Sequence, residues 1–373
     1  MKPISFSDYR RAARRRLPRV MFDYIDGGAF AEQTLARNVT DMEAVTLPQR
    51  VMRNVSKANT KLELFGQSLT APIVLAPVGL AGMFARRGEV QAARAAKLAG
   101  LPFCLSTVGV CSIEEVAGAA GAPWFQLYML KDRGYMQDLL GRARGVGCPV
   151  LVLTADLPTP GTRYRDIRSG MTAGGLSATL RRMWGGATHP AWAWDVGLNG
   201  RPHTLGNITD AIPHVHRLNE FWRFIGANFD PTVTWKDLEF IRRSWDGPIV
   251  IKGVLDVDDA RDAVSAGADG IVVSNHGGRQ LDGAISSIAA LPAIAEAVGD
   301  KSVVMMDGAV RSGVDVLRAL SLGARACLIG RSWVYPLASG GEAELGRALA
   351  TMTAELRTAM MLMGSPDISR IGR

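Results

Sequence analysis

The chain has 373 residues, 43 Lys+Arg against 35 Asp+Glu for a formal charge of +8, and 47% hydrophobic residues, which excludes an intrinsically disordered protein. Cys104, Cys111, Cys148 and Cys327 stand apart with no Cys-x-x-Cys pair and no His at finger spacing, excluding a disulfide framework and a structural zinc and pointing to a reducing compartment. No basic patch with interleaved stacking aromatics accompanies the charge, so no nucleic-acid module is expected.

The first twenty residues carry Arg10, Arg11, Arg14, Arg15, Arg16 and Arg19 with no apolar run behind them, so no secretory signal is expected. A basic amphipathic start fits either a solvated helix face or an anionic lipid surface. Residues 65–85 are uncharged but interrupted by Pro72, Pro77, Gly79 and Gly82, which reads as a buried strand and a loop rather than a membrane span.

Eight short apolar runs follow, at 72–76, 103–106, 123–128, 150–155, 249–252, 270–274, 303–307 and 326–330. Each is too short for a helix and does not alternate, the pattern of a strand buried on both faces of a parallel sheet. Helical patterns lie between them: 89–98 is Ala-rich, 112–120 opens with a Ser112-x-x-Glu115 capping box, 256–266 has an acidic first turn, and 312–322 ends at Gly323. This alternation fits a (β/α)8 barrel or a doubly wound open sheet. Polar residues at the C-terminal ends of many different strands favour the barrel, because an open sheet gathers its chemistry at one crevice. The fold class expected is α/β, a (β/α)8 TIM barrel forming one domain over 1–373.

About a hundred residues separate the fourth and fifth strands, so 167–231 is an insertion, a lid or docking segment. It holds Trp184, Trp192, Trp194 and Trp222 beside Arg181, Arg182, Arg201 and Arg217. Two readings fit these aromatics: a membrane interface, or a small core of the insert's own.

His276 is the one histidine outside the insert, on a Gly-rich turn after the sixth strand, and reads as a general base. Asp156 and Asp307, after the fourth and seventh strands, are candidates to orient it. Arg163 and Arg279 suit a bidentate carboxylate clamp. Lys252, ending an apolar strand, fits a Schiff-base nucleophile or an electrostatic partner of an anionic cofactor. The loops Asp307-Gly308-Ala309-Val310-Arg311-Ser312-Gly313 and Leu328-Ile329-Gly330-Arg331 suit a phosphate. The chain has no Gly-x-Gly-x-x-Gly, Walker A, His-Glu-x-x-His or Gly-x-Ser-x-Gly motif, so a Rossmann site, a P-loop and a hydrolase elbow lack support.

At Ser274 to Asp282, Ser-Asn-His-Gly-Gly-Arg-Gln-Leu-Asp, the sequence resembles the FMN-dependent 2-hydroxy-acid dehydrogenase and oxidase family. The likeness runs through Tyr24 to Gly28, Pro77-Val-Gly, Leu105-Ser-Thr, Gln126-Leu-Tyr128, Thr154-Ala-Asp156, Lys252-Gly253, Asp307-Gly308 and Gly330-Arg331. Through residues 77–89 and 191–202 it is most similar to the bacterial respiratory L-lactate dehydrogenases.

The resemblance implies FMN across the barrel mouth, contacted by Pro77, Val78, Gly79, Ser106, Gln126, Thr154, Lys252, Ser274, Asp307, Gly308, Arg311, Gly330 and Arg331. It implies that Tyr24, Arg163 and Arg279 hold the substrate carboxylate, with Tyr128 near its hydroxyl. His276 would take a proton as the flavin takes two electrons, Asp156 would stabilise the imidazolium, and Lys252 would act electrostatically. The expected function is oxidation of L-lactate to pyruvate with electrons passed to quinone, by a peripheral homo-oligomer, a tetramer by family likeness, on the cytoplasmic side of the inner membrane. Gly79 stands where many oxidases of the family carry Ala, which favours a dehydrogenase over a peroxide-forming oxidase. The alternatives are another 2-hydroxy acid, such as mandelate or glycolate, or O2 as acceptor.

Overall fold

In the computed structural model, residues 2–172, 176–208 and 226–372 are described. Three helices come first, α1 (Phe6–Arg16), α2 (Arg19–Asp26) and α3 (Gln33–Ala44), then a hairpin of β1 (Leu62–Leu64) and β2 (Gln67–Leu69). Eight parallel strands follow: β3 (Ile73–Leu75), β4 (Cys104–Ser106), β5 (Trp124–Tyr128), β6 (Leu151–Thr154), β7 (Ile249–Val254), β8 (Gly270–Val273), β9 (Val303–Met306) and β10 (Ala326–Ile329). All but β7 lie within one residue of the expected bounds, and β7 runs on through Gly253. The ladder runs β3-β10-β9-β8-β7-β6-β5-β4, and a parallel bridge from Leu75 to Phe103 closes it into a barrel. The open-sheet alternative is thereby set aside.

Alternation along the strands builds the interior. Val74, Cys104, Trp124, Val152, Val250, Val272, Met305 and Leu328 share one buried cluster. Residues two places further on fall on the same face, because side chains alternate along a strand. Those residues are Ala76, Ser106, Gln126, Thr154, Lys252, Ser274, Asp307 and Gly330. The barrel's apolar filling therefore ends, at the C-terminal rim, in a layer that is polar on six of its eight strands, and the six polar members are buried. The opposite end is stoppered by the hairpin, which the sequence pattern did not suggest: Leu62, Leu64 and Leu69 join the inner cluster, and the Trp124 indole donates to Gln67 Oε1 at 2.8 Å.

Helices cover the outside, and their starts follow capping chemistry. Ser112, Asp256 and Ser312 each accept a backbone N–H from the first turn that follows. Of the expected capping box only half forms: Glu115 donates its N–H to Ser112, but its carboxylate pairs with Arg87 instead of returning to the cap. The helix after β10, Arg331–Leu362, is broken at Gly340 and at Gly341, where φ is 69°. Its buried Tyr335 meets Phe6 of α1 edge-on, with ring centroids 5.3 Å apart.

The described part of the insertion comprises helices Tyr164–Ser169, Leu176–Thr188 and Pro190–Trp192 and a π-helical turn Ala193–Leu198. Its tryptophans divide between the two readings. Trp192 is partly buried and donates its indole N–H to the Met83 carbonyl at 2.8 Å, whereas Trp184 and Trp194 are 72% and 67% exposed. Trp222, Arg217, His214 and His216 lie outside the described residues, as does the side chain of Arg182. No helix among the described residues is long and apolar enough to cross a membrane.

Candidate active site

His276 stands in the left-handed region with φ 57°, unusual for a residue with a side chain. Several contacts hold it there. Its backbone N–H donates to Ser274 Oγ at 3.0 Å, while Asn275 exchanges two amide hydrogen bonds with Asn38 of α3, at 2.7 and 2.8 Å. The His276 ring Nδ1 lies 2.9 Å from Asp156 Oδ1. A nitrogen facing a carboxylate is the one that carries the proton, so Nε2 is left as the base. Burial alone would raise the Asp156 carboxyl, but the charge and hydrogen bond of His276 and the charge of Lys252 bring it below its ordinary value. Gly253, at φ 111°, makes room for this carboxylate: a Cβ there would lie 2.5 Å from Asp156 Cβ. Asp307, the other candidate orienter, pairs elsewhere.

Lys252 Nζ is 2.9 Å from both Asp307 Oδ2 and Ser274 Oγ, and Ser274 donates to Asp307 Oδ1 at 2.6 Å. Burial opposes the ammonium charge, yet Asp307 and Asp156 outweigh it and the lysine is held above its ordinary value. A Schiff-base nucleophile must lose that proton, so the electrostatic reading of Lys252 is the one this geometry favours. Nearby, Gln126 Oε1 accepts from Ser106 Oγ at 3.0 Å, while Gln126 Nε2 is buried with no partner among the described residues.

Arg163 and Arg279 bracket Tyr24, their guanidinium carbons 5.3 and 5.1 Å from its ring centroid. Arg279 is fixed from behind by donating to the Tyr24 and Gly27 carbonyls at 2.7 and 2.8 Å. Burial and the neighbouring positive charge of Arg163 push its guanidinium below its ordinary value. Arg163 donates from Nε to buried Asp166 at 2.6 Å. Two crowded cations in a cleft favour an anion between them. Tyr128 stacks on Phe229, 4.8 Å between centroids, and burial raises its phenol well above the ordinary value. Arg311 and Arg331 form a second cationic pair. Burial and Arg331 lower the Arg311 guanidinium, which lies 4.7 Å over the Phe6 ring, and Arg331 spends three hydrogen bonds on the Ile25, Gly27 and Gly277 carbonyls.

One cleft of about 1300 Å³, open to solvent, gathers these groups. Pro77, Val78, Gly79, Tyr24, Tyr128, Arg163, Lys252, His276, Arg279, Asp307, Gly308, Arg311, Gly330 and Arg331 line it. Ser106, Gln126, Thr154, Ser274 and Asp156 are not in its lining but belong to the rim layer or back the residues that line it. Sequence reasoning missed Asn38, Asp166, Gln280, Phe229 and Asp26. Only Asp166 left a signal, three places after Arg163 in a short helix.

The family model for FMN-dependent dehydrogenases matches residues 13–373. The chain belongs to that family. Among similar proteins is the L-lactate dehydrogenase of Caulobacter sp. (strain K31), 57% identical over 370 residues, 99% of this chain and 97% of that one. The L-lactate dehydrogenase of Xanthomonas euvesicatoria pv. vesicatoria (strain 85-10) is 58% identical over 366 residues, 98% of this chain and 94% of that one. A solved mandelate oxidase with benzoyl-formic acid superposes with TM-score 0.83 at 38% identity, covering 100% of this chain and 98% of that one. The protein is thus an FMN enzyme that oxidises 2-hydroxy acids. The residues present fit FMN: the unpartnered Gln126 Nε2 offers a donor, Lys252 a buried cation, and Arg311 with Arg331 a place for a phosphate.

Proposed function

We propose that this protein oxidises L-lactate to pyruvate and passes the electrons to respiratory quinone, as a peripheral homo-oligomer on the cytoplasmic face of the inner membrane. What carries the reading is one cleft in which His276, backed by Asp156 at 2.9 Å, shares the lining with the Arg163 and Arg279 pair. Such a pair fixes a carboxylate by charge-assisted hydrogen bonds, and Tyr24 between them adds a hydroxyl. Fixing the carboxylate orients the neighbouring carbon and its hydroxyl toward His276 and Tyr128. Oxidation turns a C–H and an O–H bond into C=O, releasing two electrons and two protons, and His276 Nε2 accepts one of those protons. Asp156 stabilises the imidazolium that results. Bound FMN would supply the acceptor of the two electrons and of the other proton, and Lys252 would place a positive charge beside it.

L-lactate is favoured by the names of relatives at 57% and 58% identity. Gly79 supports a dehydrogenase over an oxidase by the family likeness given above. The single barrel over 1–373, with 167–231 as its docking segment, is part of the same proposal. Leu180, Met183, Trp184, Trp194 and Leu198 are exposed on that segment, and such apolar residues beside arginines suit a lipid surface. The test is anaerobic mixing with L-lactate, L-mandelate and glycolate while flavin absorbance is followed. Rapid bleaching by L-lactate supports the proposal, and bleaching by another acid alone refutes the substrate. Reoxidation by a soluble quinone analogue faster than by air supports the acceptor; fast peroxide formation refutes it.

A further inference from the structure

Away from the catalytic cleft, a second cavity of about 970 Å³, open to solvent, lies between α1, α2, the helix Tyr164–Ser169 and the end of the helix Leu176–Thr188. Four guanidinium groups line it, Arg10, Arg14, Arg19 and Arg165, with His189. Against them stand two carboxylates, Asp23 and Asp26. Arg10 and Arg165 share Asp26, at 2.5 and 2.6 Å, and Arg19 takes Asp23 at 3.1 Å. Arg14 has no carboxylate within ion-pair distance among the described residues. Arg165 also pairs with Glu32 at 2.7 Å, so four cations meet three carboxylates and leave an excess of about one positive charge, and a concave surface focuses that potential on an incoming anion. His189 Nδ1 faces the Gly185 carbonyl at 2.9 Å, so that nitrogen donates to it.

We infer that this cavity binds the phosphate of an anionic phospholipid headgroup. The adjoining helix argues for a lipid as the source. Leu180, Met183 and Trp184 follow one another at i, i+3 and i+4, which places them on one face, and all are exposed. Gly185 lies against Pro18, where a Cβ would be 3.3 Å from the proline Cβ, so the helix that bears this exposed face packs on the junction of α1 and α2 that forms the cavity. A headgroup phosphate in the cavity and an apolar face in the acyl boundary are the two signals that stable peripheral attachment needs. The site rests on the membrane reading above and gives it an address.

The experiment is co-sedimentation of the flavin-loaded protein with vesicles of phosphatidylcholine alone or mixed with phosphatidylglycerol. Wild-type protein is expected to pellet with the mixed vesicles only. Arg14→Glu should weaken that binding at least tenfold, Arg15→Glu, the same charge change outside the cavity, by much less, and Trp184→Ser by an intermediate amount. Flavin reduction by L-lactate should be unchanged in all three. Equal losses for Arg14→Glu and Arg15→Glu would mean a diffuse basic surface and overturn the site while leaving the membrane reading intact. Failure of the wild type to pellet with either vesicle would overturn both. Inorganic phosphate that releases the protein at submillimolar concentration, with Trp184→Ser without effect, would assign the cavity to free phosphate and overturn the lipid.

Discussion

His276 Nδ1 lies 2.9 Å from Asp156 Oδ1, while Asp156 Oδ2 is buried without a hydrogen-bond partner among the described residues. The carboxylate therefore depends on the imidazole, and its stabilisation grows when the ring becomes cationic. His276→Gln keeps a donor near Asp156 but has no basic nitrogen. Its rate of flavin reduction should fall by about 10² to 10⁴ with flavin still bound, and stopped-flow absorbance would show it. Asp156→Asn should also slow reduction, because the imidazolium loses its counter-charge.

Arg279→Lys replaces a planar fork by a point charge on a flexible stem. It also removes donors that reach the Tyr24 and Gly27 carbonyls at 2.7 and 2.8 Å. KM for L-lactate should rise by about tenfold or more. Steady-state kinetics with unchanged KM would take Arg279 out of the clamp.

Lys252→Met removes the partner of buried Asp307 and a donor to Ser274. Stability should drop by about 3 kcal/mol, the usual cost of stranding one member of a buried pair. The bound flavin should become harder to reduce. Thermal melting and a redox titration read the two effects separately.

Asp26 is buried and takes Arg10, Arg165 and the Tyr335 hydroxyl at 2.5, 2.6 and 2.6 Å. Burial would raise its carboxyl, but these partners hold it well below the ordinary range. A carboxylate lowered on folding stabilises the fold above its unfolded value, about 3.9, and that contribution is lost as pH falls further. Urea unfolding of the wild type should therefore show stability falling as pH drops below about 4. Asp26→Asn should be less stable at neutral pH by about 3 kcal/mol and should lose less on acidification.

Gly79→Ala would place a Cβ 2.7 Å from Val108 Cγ2. The variant should raise KM through a displaced Val108, and adding Val108→Ala should restore it. A double-mutant cycle should give a coupling of about 1 kcal/mol; zero coupling would separate the two positions.

The barrel was legible because strands buried on both faces leave continuous apolar runs, and their polar ends marked the rim. His276, Lys252 and Asp307 announced themselves by interrupting that pattern. Tyr24 did not: it sits in a helix before the barrel, and only family likeness selected it. Asp26 was hidden for the same reason, since partners in α1, the insertion and the last helix meet it only in space. The hairpin at the barrel's foot escaped notice because Leu62, Leu64 and Leu69 form strands of three residues each, too short to show a period.

The loop after β8 assigns work to nearly every position. Ser274 holds Lys252 and Asp307, Asn275 holds α3 through Asn38, His276 faces Asp156, and Gly278 admits the backbone at Leu35, 2.6 Å from where a Cβ would sit. Arg279 grips the chain near Tyr24, Gln280 bonds the Asp156 and Thr159 carbonyls, and Asp282 accepts the Ala31 and Thr34 N–H groups at the start of α3. The Leu281 side chain is the idle one, 70% exposed, while its carbonyl accepts from Thr34 Oγ1 at 3.3 Å. A saturation library across this stretch should return survivors at that one position. Drift toward new substrates must then enter through other walls, at Leu157 or Pro160, where a side chain lines the cleft outside the catalytic set.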